Sequence, residues 1–196
     1  MFLIADTETN GLPKDYRAPI SNTNNWPRLV ELAWQSLDEN FQVISEKSFI
    51  IKPVDFKIPS QASDIHGITY EKAMEEGVLL ENILEEFSPE IKKNQVLSGH
   101  NISFDYKIIA CELFRKNLND ELNRLMELRQ VCTMQSSTNI CKIPGKFGKY
   151  KWPTLSEAYQ FFFGKDFESA HRALNDVKAS AEILQELKKR KALLLS

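Results

Sequence analysis

The first fifty residues hold three stretches rich in apolar and β-branched side chains, and much of the chain beyond residue 60 carries helical periodicity. That order restricts the fold more than any other feature of the chain. Residues 1–8, opening on Phe2-Leu3-Ile4-Ala5, predict a short buried strand, and Asn10-Gly11 then Leu12-Pro13 are turn chemistry. Residues 28–37 and 41–52 predict two further strands joined by a hairpin turn at Asp38-Glu39-Asn40. Pro53 and Pro59 break the pattern. Helices are predicted over 60–65, 69–76 and 79–92, the last with Leu80, Ile83, Leu84, Phe87 and Ile91 at helical spacing. A short strand at 96–99, a helix over 104–117 and a fifth strand at 130–133 come next. Thr154-Leu155-Ser156-Glu157 has the form of a capping box opening a helix to Phe163, and a final helix is expected over 171–191. The sum is an α/β fold: a mixed sheet flanked by helices, its first three strands antiparallel neighbours.

A chain of 196 residues with 42% hydrophobic content suits one domain, expected over 1–190 with a tail at 191–196. A net charge of −2 gives no global pull on a polyanion, so such a ligand needs a local site or bound cations. Cys111, Cys132 and Cys141 show no CxxC spacing, which predicts a reduced, cytoplasmic protein. No apolar run approaches the ~18 residues of a membrane span, so no membrane partner is expected. The polar stretch 14–27 is a candidate functional flap, and 142–152 is a loop of lysines interleaved with aromatics. That basic loop suits a contact to a nucleic-acid backbone and equally a solvated loop with packed aromatics.

Acidic side chains concentrate at three points. Asp6 and Glu8 lie two apart in the first strand and share a face, with Cβ atoms roughly 6–7 Å apart. A cation between them resolves both repulsion and poor hydration, although a wet strand end needs none. Asp105, in GHNISFD, falls in the first turn of a helix just past a strand, where the helix dipole favours an acid and where α/β sheets place their sites. Asp176, in AHRALND, has Ala173, Ala179, Ser180 and Ile183 at helical spacing around it, and a packed carboxylate needs a partner. His171 stands about 140° round a regular helix from Asp176, so it belongs on the preceding loop, leaning over a site, or at an exposed helix entry.

Together these stretches resemble the DnaQ-like 3′→5′ exonucleases of the DEDD superfamily. DTETNGLP, GHNISFD and AHRALND look like the three exonuclease motifs, with the His-Asp spacing of the DEDDh subclass, and the resemblance runs from residue 1 to about 187. It implies a ribonuclease H-like fold with a five-stranded mixed sheet. It also implies that Asp6, Glu8, Asp105 and Asp176 ligate two divalent metal ions and that His171 is the general base. Hard oxygen ligands favour Mg²⁺ or Mn²⁺, and a histidine with a reference pKa near ~6.5 takes a proton from water at neutral pH.

The resemblance further assigns substrate-binding positions. Leu12 and Phe104 match residues packing on the last bases, and core packing is the other reading for both. Backbone near Thr9 bonds the 3′-hydroxyl, and Asn101 contacts substrate. His66 either lines the nucleotide pocket or caps the turn before Gly67. The expected activity is removal of nucleoside monophosphates from the 3′ end of single-stranded DNA, of the proofreading type, with a DNA polymerase subunit as a possible partner. An RNA exonuclease of the same subclass is the alternative, and a non-catalytic nucleic-acid-binding module a more distant one.

Overall fold

A computed structural model describes residues 1–167 and 172–194. Five strands form one sheet in the order β3-β2-β1-β4-β5: β1 Phe2–Thr9, β2 Leu29–Leu37, β3 Val43–Ile50, β4 Val96–Gly99 and β5 Arg129–Cys132. β1, β2 and β3 are antiparallel neighbours, and β4 runs parallel to both β1 and β5. The predicted mixed sheet is therefore correct in strand number and in its antiparallel half.

Eight α-helices are described: α1 Ser60–His66, α2 Tyr70–Glu76, α3 Leu80–Lys93, α4 Ile102–Arg115, α5 Asn119–Glu127, α6 Thr133–Cys141, α7 Leu155–Phe163 and α8 Ala173–Lys189. Strand alternation sorts the core into two layers. Leu3, Ala5, Leu32, Trp34 and Leu97 pack with Ile83, Phe87 and Ile91 of α3 and with Ile108 and Ile109 of α4. On the other face Ile4, Ala33, Val96 and Val131 pack with Ala173, Val177, Ala181 and Leu184 of α8. The predicted capping box at Thr154 and Glu157 is formed, with both reciprocal bonds in place.

Several boundaries differ from expectation for local reasons. β3 begins at Val43 because the Asp38 carboxylate accepts the N–H groups of Asn40 and Gln42 at 2.8 Å and Phe41 turns with φ 63°. α4 begins two residues early because Asn101 takes the left-handed conformation that starts it. α5 and α6 were not anticipated. α5 buries only Leu122 and Leu125, too few apolar positions to mark a period. In α6, TMQSSTNIC reads as turn-forming, yet the Ser137 and Thr138 hydroxyls bond back to carbonyls four residues earlier, which hides their polarity inside the helix. The expected tail turns back on the body: Leu193 packs beside α8, and the Leu194 N–H donates to Ser136 Oγ at 3.1 Å. The 14–27 stretch is pinned rather than loose. Trp26 is buried, Asn25 brackets Asp15, and the Arg115 guanidinium donates to the Thr23 and Trp26 carbonyls at 2.6 and 2.8 Å. Among the described residues no helix is long and apolar enough to cross a membrane.

Candidate active site

Asp6 and Glu8 follow Ile4 at intervals of two, so they continue the face of β1 that α8 covers. Ala33 lies directly across from Asp6 on β2, and its small side chain leaves room for the first turn of α8, which carries Asp176. One ligand oxygen each from Asp6, Glu8 and Asp176 lies within 4.8 Å of the others. Asp105 arrives separately, from the first turn of α4 just beyond the C-terminal end of β4. It lies outside that tight group. Its Oδ1 accepts both the Thr7 N–H at 3.0 Å and the Thr7 Oγ1 hydroxyl at 2.7 Å. Thr7 points away from Asp6 and Glu8, so one short strand positions three of the four acids.

The electrostatics are those of crowded anions out of water. Burial holds the Asp6 carboxyl well above the usual range, and Asp105, Asp176, Glu8 and Glu31 push it the same way. Glu8 is pushed up to about 8, first by burial and then by Asp176, Glu31 and Asp105, with Arg172 opposing. Burial pushes Asp105 up to about 7 against the pull of its Thr7 bonds. Oxygen-only donors in a buried, mutually repelling set fit a hard divalent cation, since its charge offsets both terms.

Glu31 is a fifth acid that the motifs gave no role. It faces Glu8 across the β1–β2 ladder and is buried. Its Oε1 accepts from Ser48 Oγ at 2.9 Å and Arg172 Nη2 at 3.3 Å, while Oε2 accepts the Ala173 N–H at 3.3 Å. Glu31 thereby fixes the start of α8 and, through it, Asp176.

Beside the acids lies a cavity of about 450 Å³ lined by Glu8, Thr9, Leu12, Ile65, His66 and Phe104, among others. Four of the five predicted substrate-binding residues thus share one pocket. Leu12 is 73% exposed, which excludes core packing for it. Thr9 Oγ1 bonds the Gly11 carbonyl, and Asn10 ties the turn to the Arg28 backbone and the Lys57 carbonyl, holding Leu12 out. His66 Nδ1 accepts the Ile68 N–H at 3.1 Å across Gly67, as the turn-capping reading expects, and the residue also lines this cavity. Burial lowers its pKa, so the neutral ring carries its proton on Nε2. Asn101 caps α4 at the surface and is not in the lining. His171 lies outside the described residues. Thr7 lies within DTETNGLP and Glu31 ends Arg28-Leu29-Val30-Glu31, a segment that also resembles the family, but neither received a role because those roles depend on cross-strand and helix contacts that no local motif encodes.

A five-stranded mixed sheet bearing this set of acids at its central strand, with helices on both faces, is the ribonuclease H-like fold of exonucleases. The sequence matches the Exonuclease (RNase_T) family over residues 3–184, and the chain belongs to that family. No curated protein sequence matches it. Among solved structures it is similar to E. coli Exonuclease I in complex with a dT13 oligonucleotide, at 20% identity and a TM-score of 0.76, covering 97% of this chain and 41% of that one. The zinc-bound form of an E. coli Exonuclease I–ssDNA complex is similar at 22% identity and a TM-score of 0.72, covering 97% and 40%. A structure of SSB/Exonuclease I in complex with the inhibitor CFAM is similar at 19% identity and a TM-score of 0.73, covering 96% of this chain and 41% of that one. The chain therefore spans about two-fifths of the length of these proteins, and at such identity the likeness is one of fold.

Proposed function

We propose that this chain is a metal-dependent 3′→5′ exonuclease that releases nucleoside monophosphates from single-stranded DNA. The observation that carries the reading is the convergence of Asp6, Glu8 and Asp176 within 4.8 Å, with Asp105 held beside them by Thr7. These four acids would hold two Mg²⁺ or Mn²⁺ ions, which supply charge stabilisation at the attacking and leaving oxygens of phosphodiester hydrolysis. His171, by its place in the third motif of the DEDDh subclass, takes the proton of the attacking water. Glu31 keeps Asp176 in register by fixing the first turn of α8. The apolar pocket receives the terminal nucleotide between exposed Leu12 and Phe104, with backbone near Thr9 on the 3′-hydroxyl and the Nε2–H of His66 as a further donor. A DNA substrate is supported by the oligonucleotide complexes of the similar Exonuclease I structures. Removal of a 3′-terminal nucleotide is also the step that proofreading requires beside a polymerase.

The test is product analysis on 5′-labelled DNA and RNA strands of one sequence. In Mg²⁺ the DNA label is expected to descend in single-nucleotide steps with mononucleotide release, and chelation abolishes the ladder. Internal cuts, loss of the 5′ label or no products overturn the reading. Faster shortening of RNA replaces the DNA substrate with RNA.

A further inference from the structure

Residues 142–152 run into Pro153, whose carbonyl meets His100 one residue past the end of β4, and the proposed chemistry does not use them. The segment is a built hairpin. Pro144 bridges Tyr150 in antiparallel sense, the Gly145 N–H donates to the Lys149 carbonyl at 2.9 Å, and the Lys151 N–H donates to the Ile143 carbonyl at 3.0 Å. A Cβ at Gly145 would stand 2.7 Å from the Lys149 carbonyl oxygen and 2.8 Å from the Lys151 nitrogen, so glycine is required for closure. At the tip Phe147 is 96% exposed and held at φ 56°, an unusual backbone for an aromatic residue. Tyr150 and Trp152 are also exposed.

Lys142, Lys146 and Lys149 are without an ion pair among the described residues, whereas Lys151 pairs with Glu157 at 2.5 Å. No acid occurs from 142 to 156, in a chain whose net charge is −2. The base of the hairpin is anchored by His100: one ring nitrogen lies 2.9 Å from the Pro153 carbonyl and the other 3.0 Å from Thr133 Oγ1. Thr133 Oγ1 in turn donates to the Gly99 carbonyl at 3.2 Å. Gly99 ends β4, and Asp105 stands in the first turn of the helix beyond it.

We infer that this hairpin grips the single strand upstream of its cleaved end, its lysines on phosphates and its exposed rings on bases. The inference rests on the proposed exonuclease reading. A local cationic cluster with projecting aromatic faces suits single-stranded nucleic acid, which alternates anionic backbone and stacking surface.

The experiment uses the full chain and a labelled oligothymidylate, read by fluorescence anisotropy in Ca²⁺ across a salt series. Phe147→Asn keeps a residue tolerant of the left-handed backbone and removes one stacking face; the expected loss of affinity is on the order of tenfold. The double variant Lys146→Gln/Lys149→Gln is expected to lower the log–log salt slope by about 1.4, at ~0.7 per single-strand phosphate. Hydrolysis of thymidine 5′-p-nitrophenyl phosphate in Mn²⁺, a substrate with no upstream strand, stays at the parental rate in both variants. Unchanged affinity and slope overturn the inference and leave the surface to an acidic protein partner. Loss of ester hydrolysis in the variants also overturns it, because the hairpin then acts on the site and not on the strand. A parental protein that leaves the ester intact fails the exonuclease reading, while the anisotropy still judges the hairpin by itself.

Discussion

Glu8 makes the metal-free protein less stable as pH rises, and the size of the effect follows from its surroundings. Its carboxyl titrates near its ordinary 4.5 in an unfolded chain and at about 8 in the folded one. Between those values the folded state keeps a proton that the unfolded state has released. Stability contributed this way is complete below the unfolded pKa and is lost as pH climbs through the folded one. Each proton of difference changes stability by ~1.4 kcal/mol per pH unit, so Glu8 accounts for about 3 kcal/mol between about pH 5 and about pH 8. Asp105, at about 7, and Asp6 act in the same direction. His66 and His100, whose pKa values burial lowers, act against it. Glu8→Gln removes this contribution together with one of the smaller pushes on Asp6. The assay is urea unfolding followed by tryptophan fluorescence in chelator at both pH values. The parental protein is expected to lose about 3 kcal/mol more than Glu8→Gln across the window, and Mg²⁺ at the alkaline end is expected to restore most of the loss. Equal pH slopes for the two proteins, or a parental protein that gains stability toward alkali, refute the electrostatic account of the site.

Three other changes carry definite expectations. Thr7→Val keeps the shape of the side chain but removes the hydroxyl on buried Asp105. At alkaline pH without metal it should cost about 1.5–3 kcal/mol in the same unfolding assay. Glu112 is fully buried and accepts from Arg28 Nε at 2.9 Å, Arg115 Nη1 at 2.9 Å and the Leu29 N–H at 3.1 Å. Glu112→Ala removes the buried acceptor that Arg28 and Arg115 share, leaving Arg28 only Asp55 and Arg115 only backbone carbonyls, and is expected to cost about 3 kcal/mol, seen as a lowered urea midpoint. His171→Ala is expected to lower kcat on a DNA strand by roughly 10²–10⁴-fold, while the Mg²⁺-induced shift in Tm stays at the parental value.

The strand framework was legible because Phe2-Leu3-Ile4-Ala5 and the apolar runs at 28–37 and 41–52 carry their own periodicity and turn signals. The pairing of Asp6 with Glu8 followed from strand geometry alone, and the structure adds Asp176 to the same cluster. Asp105 shows where local reading stops. The helix dipole accounts for an acid at that position, but only the fold brings Thr7 to its oxygen across 98 residues of sequence. Glu31 was hidden for a related reason. A glutamate in a strand looks solvent-facing until a helix distant in the chain closes over it. α6 went unseen because its serines and threonines favour turns in isolation, and packing against α7 and α8 decides otherwise.

The central strand carries Asp6 and Glu8, yet these acids meet their third companion only at residue 176. A ribosome must therefore add all the intervening polypeptide before the cluster can close. Products that stop short of α8 would lack both an acid and the helix that covers Ile4 and Val131.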